Sequence, residues 1–330
     1  MKAVVLEEKN APFIIKEVDK PNINDDEVLI KIKSAAFNHR DIWIQKGMYA
    51  GLKYPCILGS DGAGIVEEIG KNVNKNLLNK EVIINPSLDW GNNEKFQNKD
   101  FKVLGLPDDG TFAEYIKISS TKVFEKPEYL NFEQAASLPL AGLTAYRAIF
   151  SRANLEKNDK VLITGIGGGV ALFAFQFALA LGCEVYVTSG SDEKIQKALS
   201  LGAKSGVNYN TENWDKQLNM TFDVIVDSAG GDGFSKLIDL ASYGARIVFF
   251  GGTKGVIKKI NTQKVFWKQL SILGSTMGSD KEFLDMMNFI NQYKIQPVID
   301  KVFNYKDVKE ASERMANSNQ FGKIVLNFSF

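Results

Sequence analysis

The spacing of apolar and polar positions predicts a β-rich region from residue 1 to about residue 120. Short segments of β-branched and aromatic residues alternate there with Gly, Pro, Asn and Asp, which is typical of an all-β, barrel-like domain. A short helix after Asn38 is the one helix that this region suggests. The predicted strands are AVVL at 3–6, VLIKIKSAAF at 28–37, AGIVEEIG at 63–70, EVIINP at 81–86 and TFAEYIKI at 111–118.

The pattern becomes helical after residue 130 and then alternates. We predict one helix over residues 131–150, with Asn131 as its N-cap and Glu133 in its first turn. Beyond it, continuously apolar runs alternate with helical stretches, which predicts βαβ units and a doubly wound parallel sheet buried on both faces. The strands predicted for this sheet lie at 160–165, 184–190, 205–209, 222–230, 245–252 and 271–278.

The last part of the chain predicts a helix, a strand, a second helix and a final strand. These elements are placed at 280–293, at 297–305, from Asp307 onward, and at 322–330. Since 330 residues exceed one typical hydrophobic core, we expect an α/β protein of two domains. The predicted domain boundaries are 1–122, completed by 295–330, and 123–294.

The composition of the chain argues against some classes of partner and indicates a compartment. Apolar residues make up 45% of the chain, charged residues 24%, and the net charge is +1, so neither nucleic acid nor a membrane surface is an expected partner. We expect no signal peptide, and the longest apolar run, residues 169–183, is too short to span a bilayer. Two cysteines, Cys56 and Cys183, make no disulfide framework, which favours the cytoplasm.

A glycine-rich turn between a predicted strand and a predicted helix indicates a dinucleotide site. Gly165, Gly168 and Gly169, followed by Val170, would let the backbone approach a pyrophosphate, and the helix N-terminus would supply N–H groups. The spacing, with Ala171 last, is a variant of the usual fingerprint. The alternative is a purely structural turn, but the position inside a βαβ unit favours nucleotide binding.

The end of the next strand predicts which nicotinamide cofactor binds. Where an NAD site usually offers an acid, the segment VTSGSDEK offers Ser189 and Gly190, with Lys194 one turn further on. Hydroxyl and ammonium groups suit a 2′-phosphate, so we predict NADPH. In the alternative, Ser191 or Asp192 caps the following helix and Lys194 is solvated.

These motifs resemble one family over essentially all 330 residues. Its markers here are FNHRD, GMY, GSDGAGIVEEIG, DGTFAEY, AASLPLAGLTAYRAI, GGGVA, DVIVDSAGG and FGKIVL. The chain resembles a zinc-free, quinone oxidoreductase-like branch of the medium-chain dehydrogenase/reductase superfamily. The resemblance implies a GroES-like barrel as the substrate and catalytic domain, 1–122 completed by 295–330, and a Rossmann dinucleotide-binding domain, 123–294. It also implies NADPH-dependent hydride transfer to a quinone or other small carbonyl compound.

The zinc ligands of the superfamily are missing. Where zinc alcohol dehydrogenases have a cysteine and a histidine, this chain has Asn38 and Ser60, and the lobe at 88–105 has no cysteine. We therefore expect no metal site. The alternative is a zinc site with an unusual ligand set, formed by His39, Cys56 and Asp61.

The resemblance also implies catalytic residues. Tyr49, in KGMY, would donate a hydrogen bond to a carbonyl oxygen that gains negative charge. Alternatively, its ring is only the wall of an apolar pocket. Asn38 would lie near the cofactor or, alternatively, stabilise a turn, and Asp41 is expected to be structural.

Further cofactor contacts follow from the same resemblance. Thr144 would lie near the nicotinamide ribose, and Tyr209 beside the adenine ribose phosphate. The residues expected to line the nicotinamide are Gly251, Gly252 and Ser275. Lys323 would be a C-terminal lysine near the cofactor or, alternatively, a solvated or ion-paired side chain.

Two other functions stay open on the sequence alone. One is reduction of an α,β-unsaturated ketone, aldehyde or thioester at its double bond; the other is dinucleotide binding without turnover. For assembly, residues 271–278 read as an edge strand with little charge and no proline, which predicts a homodimer joined through residues 270–278. If a loop or the helix after Ser279 covers this edge, the chain would instead be a monomer.

Overall fold

The computed structural model describes residues 1–329, and the chain packs into two compact units. Unit 1 consists of Met1–Ala141 together with the chain from Gly278 onward, and unit 2 is Gly142–Met277. These limits differ from the predicted boundaries at 122 and 294. The reason lies in unit 1, where the helix after Ser279 packs on the barrel: the rings of Phe124 and Phe283 have centroids 4.7 Å apart.

The secondary structure alternates short strands and helices. In chain order the strands are β1 Lys2–Leu6, β2 Ile14–Glu17, β3 Glu27–Ala36, β4 Cys56–Ile57, β5 Asp61–Ile69, β6 Glu81–Ile84, β7 Ser87–Leu88, β8 Lys102–Val103, β9 Tyr115–Ser119, β10 Val123–Glu125, β11 Lys160–Ile163, β12 Glu184–Ser189, β13 Ser205–Asn208, β14 Phe222–Asp227, β15 Ala241–Phe249, β16 Ser271–Gly274, β17 Ile299–Asn304 and β18 Lys323–Asn327. The α-helices are α1 His39–Gln45, α2 Phe132–Ala136, α3 Pro139–Tyr146, α4 Gly169–Leu181, α5 Asp192–Ser200, α6 Trp214–Gln217, α7 Phe234–Leu240, α8 Thr262–Trp267, α9 Asp280–Tyr293 and α10 Val308–Ala316.

Unit 1 is built on a seven-stranded sheet. Its order is β10-β6-β5-β3-β18-β17, with β9 also paired to β3, and the pairs involving β3 are antiparallel. The C-terminal strand β18 therefore completes the sheet of the N-terminal region, with Val325 opposite Ala36. A second, three-stranded sheet has the order β2-β1-β4.

Unit 2 contains one parallel six-stranded sheet. Its order is β13-β12-β11-β14-β15-β16, so the chain runs outward from β11 in one direction and then outward from β14 in the other. The predicted doubly wound parallel sheet is confirmed. In such a sheet, ligands bind beyond the carboxyl ends of the strands where the order reverses, which is between β11 and β14 here.

The prediction of one helix over residues 131–150 was wrong. Asn131 is the N-cap, since its Oδ1 accepts a 2.8 Å hydrogen bond from the Gln134 N–H, but α2 ends at Ala136. Pro139 has no N–H to continue the ladder, so a new helix, α3, begins there. A π-helical stretch, Arg147–Arg152, follows α3.

The sequence pattern missed several short elements. Strands of two to four residues carry too few positions to show alternation, and their existence depends on distant partners, as when β4 pairs with β1. The missed elements are β2, β4, β7, β8, β10, α6 and α8. Within residues 1–329, no helix has both the length and the apolar character that crossing a membrane requires.

Candidate functional site

In unit 2, the turn from β11 into α4 has the backbone of an anion cradle. Gly165 has φ +65°, a conformation that side chains rarely adopt. Gly168 is the N-cap of α4 and provides no side-chain cap, so the first N–H groups of the helix are left for a ligand. A Cβ on Gly168 would meet nothing nearer than 3.9 Å, so the space beside this turn is open. Gly169 and Val170 form the first turn of α4.

A buried carboxylate fixes the neighbouring turn, after β14. Asp227 accepts hydrogen bonds from Thr164 Oγ1 at 2.6 Å and from the N–H of Gly230 at 2.7 Å. Burial raises the pKa of Asp227, and the bonds from Thr164 and from the backbone of the turn oppose that rise. The carboxylate therefore ties the ends of β11 and β14 together at the point where the strand order reverses.

The residues predicted to line the nicotinamide follow β15 and β16. Gly251 has no room for a side chain, because a Cβ there would lie 2.5 Å from the Ser228 carbonyl oxygen, whereas Gly252 has open space. Ser275 donates its N–H to the Phe249 carbonyl, and its buried Oγ has no partner among the described residues.

Thr144 lies on α3 within the same unit. It is buried, and its Oγ1 is 3.8 Å from Sδ of Met277. The structure therefore places Thr144 beside the segment that follows Ser275.

The ends of β12 and β13 hold the residues predicted to read the cofactor phosphate. Ser189 is buried at the end of β12, and Gly190 lies against Tyr209, whose hydroxyl would be 2.9 Å from a Cβ at residue 190. Asn210 Nδ2 donates to the Gly190 carbonyl at 3.1 Å. Ser189, Gly190 and Tyr209 are thus brought together, next to the β11–α4 turn, because β12 pairs with β11.

Lys194 lies half-buried in the first turn of α5. Its N–H donates to Oγ of Ser191, which is the N-cap of this helix. The alternative prediction that Ser191 or Asp192 caps α5 is therefore correct for Ser191. Asp192 accepts a 2.9 Å hydrogen bond from Asn208, so its carboxylate is already engaged. Lys194 brings a positively charged side chain to the first turn of α5, where Asp192 and Glu193 also stand.

These features of unit 2 fit a nicotinamide dinucleotide. The open glycine cradle, the uncapped N–H groups of α4 and the orphaned hydroxyl of Ser275 all lie at the carboxyl ends of the parallel strands. Gly165, Gly168 and Gly169 would hold the pyrophosphate, and the Ser189–Gly190 corner would take the adenine ribose.

In unit 1, a buried cluster forms around Asn38. Asn38 is the N-cap of α1, and its Nδ2 donates to Oδ2 of Asp61 at 2.9 Å. Lys323 Nζ donates to three oxygens: the Phe37 carbonyl at 2.9 Å, Asn38 Oδ1 at 2.7 Å and Asp61 Oδ2 at 2.9 Å. Its three N–H groups are therefore all used within unit 1. A contact between Lys323 and the cofactor stays a prediction.

Asp41 is fully buried next to this cluster. Its Oδ2 accepts the Asn38 N–H at 2.8 Å, while its Oδ1 has no partner among the described residues. Burial raises the pKa of Asp41 to about 6, against the opposing charge of Arg40. It closes the first turn of α1, as expected of a structural residue.

A second buried cation lies on the same helix. Arg40 Nη1 donates to Ser60 Oγ and to the Leu104 carbonyl, each at 2.9 Å. Its Nε donates to the Tyr49 hydroxyl at 3.4 Å, and its Cζ lies 5.0 Å from the centroid of the Tyr49 ring. The Tyr49 ring also packs against the core of unit 1. Tyr49 therefore makes the apolar ring contact that the alternative interpretation expects, and its hydroxyl also makes a polar contact.

The residues of unit 1 do not fit a zinc ion. Both positions that match zinc ligands, Asn38 and Ser60, accept hydrogen bonds from side-chain cations. Burial raises the pKa of the Cys56 thiol to about 11, so without a metal ion this side chain stays a neutral thiol. Among the described residues, no group of three or more His, Cys, Asp or Glu side chains is placed to hold a metal.

Sequence reasoning missed three residues of these clusters. Arg40 stands in the motif FNHRD, but its role depends on contacts with Ser60 and Tyr49 that no local pattern reveals. Asp227 lies inside the strand predicted at 222–230 and could have been suspected, since a charged residue there follows the apolar run 224–226. Asp61 was considered only as a metal ligand, and its partner Lys323 lies 262 residues away.

Comparison with known proteins identifies two family domains. The model described as alcohol dehydrogenase GroES-like domain matches residues 24–128, and the model described as zinc-binding dehydrogenase matches residues 169–292. The predicted fold class, a GroES-like domain with a Rossmann-type parallel sheet, is confirmed.

Relatives match over nearly the whole chain. The zinc-type alcohol dehydrogenase-like protein YogA of Leptosphaeria maculans is 36% identical, covering 96% of this chain and 94% of that protein. The acryloyl-coenzyme A reductase of Sulfurisphaera tokodaii is 29% identical, covering 99% of both chains. The quinone oxidoreductase of Homo sapiens is 28% identical, covering 99% of this chain and 97% of that protein.

A solved structure has the same fold over the whole chain. A crystal structure of an NAD-dependent alcohol dehydrogenase superposes with a TM-score of 0.94 at 33% identity and covers 100% of both chains. The family binds nicotinamide dinucleotides and acts on small molecules. On its folds, its glycine turn and these relatives, the chain is an oxidoreductase of the medium-chain dehydrogenase/reductase superfamily.

Proposed function

We propose that this protein is a zinc-independent, NADPH-dependent reductase of quinones or other small carbonyl compounds. The observation that carries the proposal is the pair of contacts at the zinc-matching positions, where Lys323 bonds to Asn38 and Arg40 bonds to Ser60. A metal ion there would have to displace two positive side chains that are already fixed. Hydrogen bonds and fixed charge then take the place of a Lewis acid.

The bound reduced nicotinamide supplies the hydride. Tyr49 donates its hydroxyl hydrogen to the substrate carbonyl oxygen, where negative charge builds as the hydride arrives. Support comes from Arg40 Nε, which bonds to the oxygen of this hydroxyl and so leaves its hydrogen free to be donated elsewhere. Asn38 is hydrogen-bonded to Asp61 and Lys323, so in this proposal it is a rigid residue of the catalytic site.

NADPH is the proposed cofactor because the corner after β12 has no free acid. Ser189 and Gly190 stand at the strand end, and the first acid after them in sequence, Asp192, accepts a hydrogen bond from Asn208. Lys194 supplies the positive charge that a 2′-phosphate needs. An Asp or Glu would stand at this strand end in an NAD site, where it would accept hydrogen bonds from the ribose hydroxyls.

One relative favours a second candidate, reduction of an α,β-unsaturated thioester. The acryloyl-coenzyme A reductase matches 99% of this chain. In that reaction, hydride goes to the β-carbon, and the same hydroxyl of Tyr49 would hydrogen-bond to the thioester carbonyl oxygen. The fold and the cofactor residues would serve both reactions.

We also propose a homodimer joined along β16. Among residues 1–329, this strand pairs only with β15, so it forms an edge of the sheet, and it ends at Gly274, earlier than predicted. Near it in sequence, Phe266 and Trp267 on α8 are 65% and 69% exposed, which is unusual for side chains of this size. Pairing of two β16 strands would extend the sheet across a two-fold axis.

Oxidation of NADPH across a panel of quinones, enones and enoyl thioesters tests the proposal. We expect turnover with a quinone or simple carbonyl at least tenfold above that with any enoyl thioester. A preference for the thioester would favour the second candidate. Binding of NADPH without turnover of any compound would leave a dinucleotide-binding protein.

A further inference from the structure

Arg40 is a buried cation whose acceptors are all neutral. It is 7% exposed, and its hydrogen-bond acceptors are Ser60 Oγ, the carbonyls of Leu104 and Val103, and the Tyr49 hydroxyl. A buried charge without a carboxylate bonded to it is costly, and folds commonly retain such a group at functional sites. No carboxylate is hydrogen-bonded to the guanidinium, and its charge acts on the groups around it, the Asp41 carboxyl among them.

The group that Arg40 Nε contacts is the phenol oxygen of Tyr49. Arg40 Nε lies 3.4 Å from this oxygen and Cζ lies 5.0 Å from the ring centroid. A hydroxyl has one hydrogen, and since its oxygen accepts from Arg40, that hydrogen must point elsewhere. It has no acceptor among the described residues, so it is available to a ligand.

The guanidinium is held in this position at several points. Nη1 bonds at 2.9 Å to both Ser60 Oγ and the Leu104 carbonyl, and Ser60 Oγ donates to the same carbonyl at 2.8 Å. Arg40 lies in the first turn of α1 and Tyr49 lies just beyond its end. The helix and the Leu104 segment together fix the direction from which the charge reaches the phenol.

We propose that Arg40 is a positioning residue that orients the Tyr49 hydroxyl toward the substrate and stabilises the phenolate left after proton transfer. This inference rests on the proposed function. Hydride from the reduced dinucleotide forms a C–H bond at the carbonyl carbon, and the carbonyl π pair moves to oxygen. That oxygen takes the proton of the Tyr49 hydroxyl, and the charge left on the phenol oxygen faces Arg40 Nε. Solvent then returns a proton to the phenol.

A double-mutant cycle tests the link. Arg40→Met should lower kcat for a carbonyl substrate by roughly ten- to a hundredfold with little change in KM, as loss of transition-state charge stabilisation does. In the Tyr49→Phe background, the same change should cost less than about threefold, because the phenol it acts on is gone. Equal losses in both backgrounds, or a loss confined to KM, would overturn the proposal.

Two further variants test whether a loss of activity is only a loss of folding. Arg40→Lys keeps a charge and a donor, so it should retain part of the activity, and it replaces Arg40→Met in the cycle if the latter does not fold. Arg314→Met removes an arginine of unit 1 that pairs with Asp300 and does not contact Tyr49. Activity lost equally in Arg314→Met and Arg40→Met would indicate a structural effect alone and contradict the proposal.

A second experiment needs no substrate, so its outcome tests this inference separately from the proposed function. With 13C-labelled tyrosine, the Cζ resonance of Tyr49 is assigned by its absence in Tyr49→Phe. Arg40→Met should move this resonance, since the shift responds to hydrogen bonding at the phenol oxygen, and Arg314→Met should leave it in place. An unmoved resonance would show that Arg40 does not act on Tyr49, whatever the enzyme reduces.

Discussion

Nζ of Lys323 donates a 2.7 Å hydrogen bond to Oδ1 of Asn38. The two residues are far apart in sequence and meet because β18 pairs with β3, whose chain leads directly into Asn38. Asn38 stands where zinc relatives have a cysteine, so a protein cation faces the position of a metal ligand. Asp61 completes the cluster as the ion-pair partner of Lys323, and these contacts support the proposed reaction without metal.

Cofactor choice should depend on Lys194. Lys194→Ala should raise the KM for NADPH roughly ten- to a hundredfold and leave NADH nearly unchanged, because a charge-assisted phosphate contact contributes about 1.5–3 kcal/mol. Steady-state kinetics with both cofactors measure this. Lys197→Ala, on the same helix and paired with Glu193, is the matched control and should change neither KM. Equal losses for NADPH and NADH would remove Lys194 from phosphate recognition.

The hydroxyl of Tyr49 should matter for the chemical step. Tyr49→Phe keeps the ring that packs on the core and removes the donor, so kcat should fall up to about a hundredfold while NADPH binding changes little. Stopped-flow rates of NADPH oxidation and fluorescence titration of the cofactor separate the two effects. If kcat were unchanged and KM poorer, Tyr49 would be a pocket wall.

Stability should fall as pH rises through the range in which Asp41 ionises. Burial raises its pKa to about 6 in the folded protein, above the ordinary value of 3.8, so the folded state binds this proton more tightly than the unfolded state does. The resulting stabilisation is complete below about pH 4 and is lost as pH rises to 6; its size is at most about 3 kcal/mol.

Urea unfolding at pH 4 and pH 7.5 measures this effect. Asp41→Asn can still accept the Asn38 N–H, so it should lose less stability over this interval than the wild type. Asp100→Asn, at an exposed position, is the control and should follow the wild type. Parallel pH dependence in Asp41→Asn and the wild type would contradict the assignment.

The edge strand gives an assembly prediction. Leu273→Lys places a charge in the middle of β16 and should convert a dimer into a monomer without loss of NADPH binding. Light scattering at micromolar concentration reads the mass of each form. A wild-type mass of one chain that does not change with dilution would rule out the dimer.

The order of strands and helices was largely predictable because it depends on local periodicity. The strands β11, β14 and β15 each contain a short apolar run, at 161–163, 224–226 and 247–249, and the spacing of the glycines marks the turn after β11. The break at Pro139 was not predicted, although a proline inside a helical pattern commonly ends or kinks the helix.

The contacts of unit 1 could not be predicted in the same way. The bonds from Lys323 to Asn38 and from Arg40 to Ser60 join segments that are distant in sequence, so they depend on sheet pairing and on side-chain direction. A sequence pattern shows that zinc ligands are missing, but the groups that replace them appear only when the chain is folded.

Elemental analysis combined with activity on one sample tests the central claim most directly. The purified protein should contain well under one zinc per chain, and its NADPH-dependent reduction of a quinone should be unchanged after dialysis against a strong chelator. One zinc per chain, with activity lost on its removal and restored by zinc alone, would contradict the metal-free account.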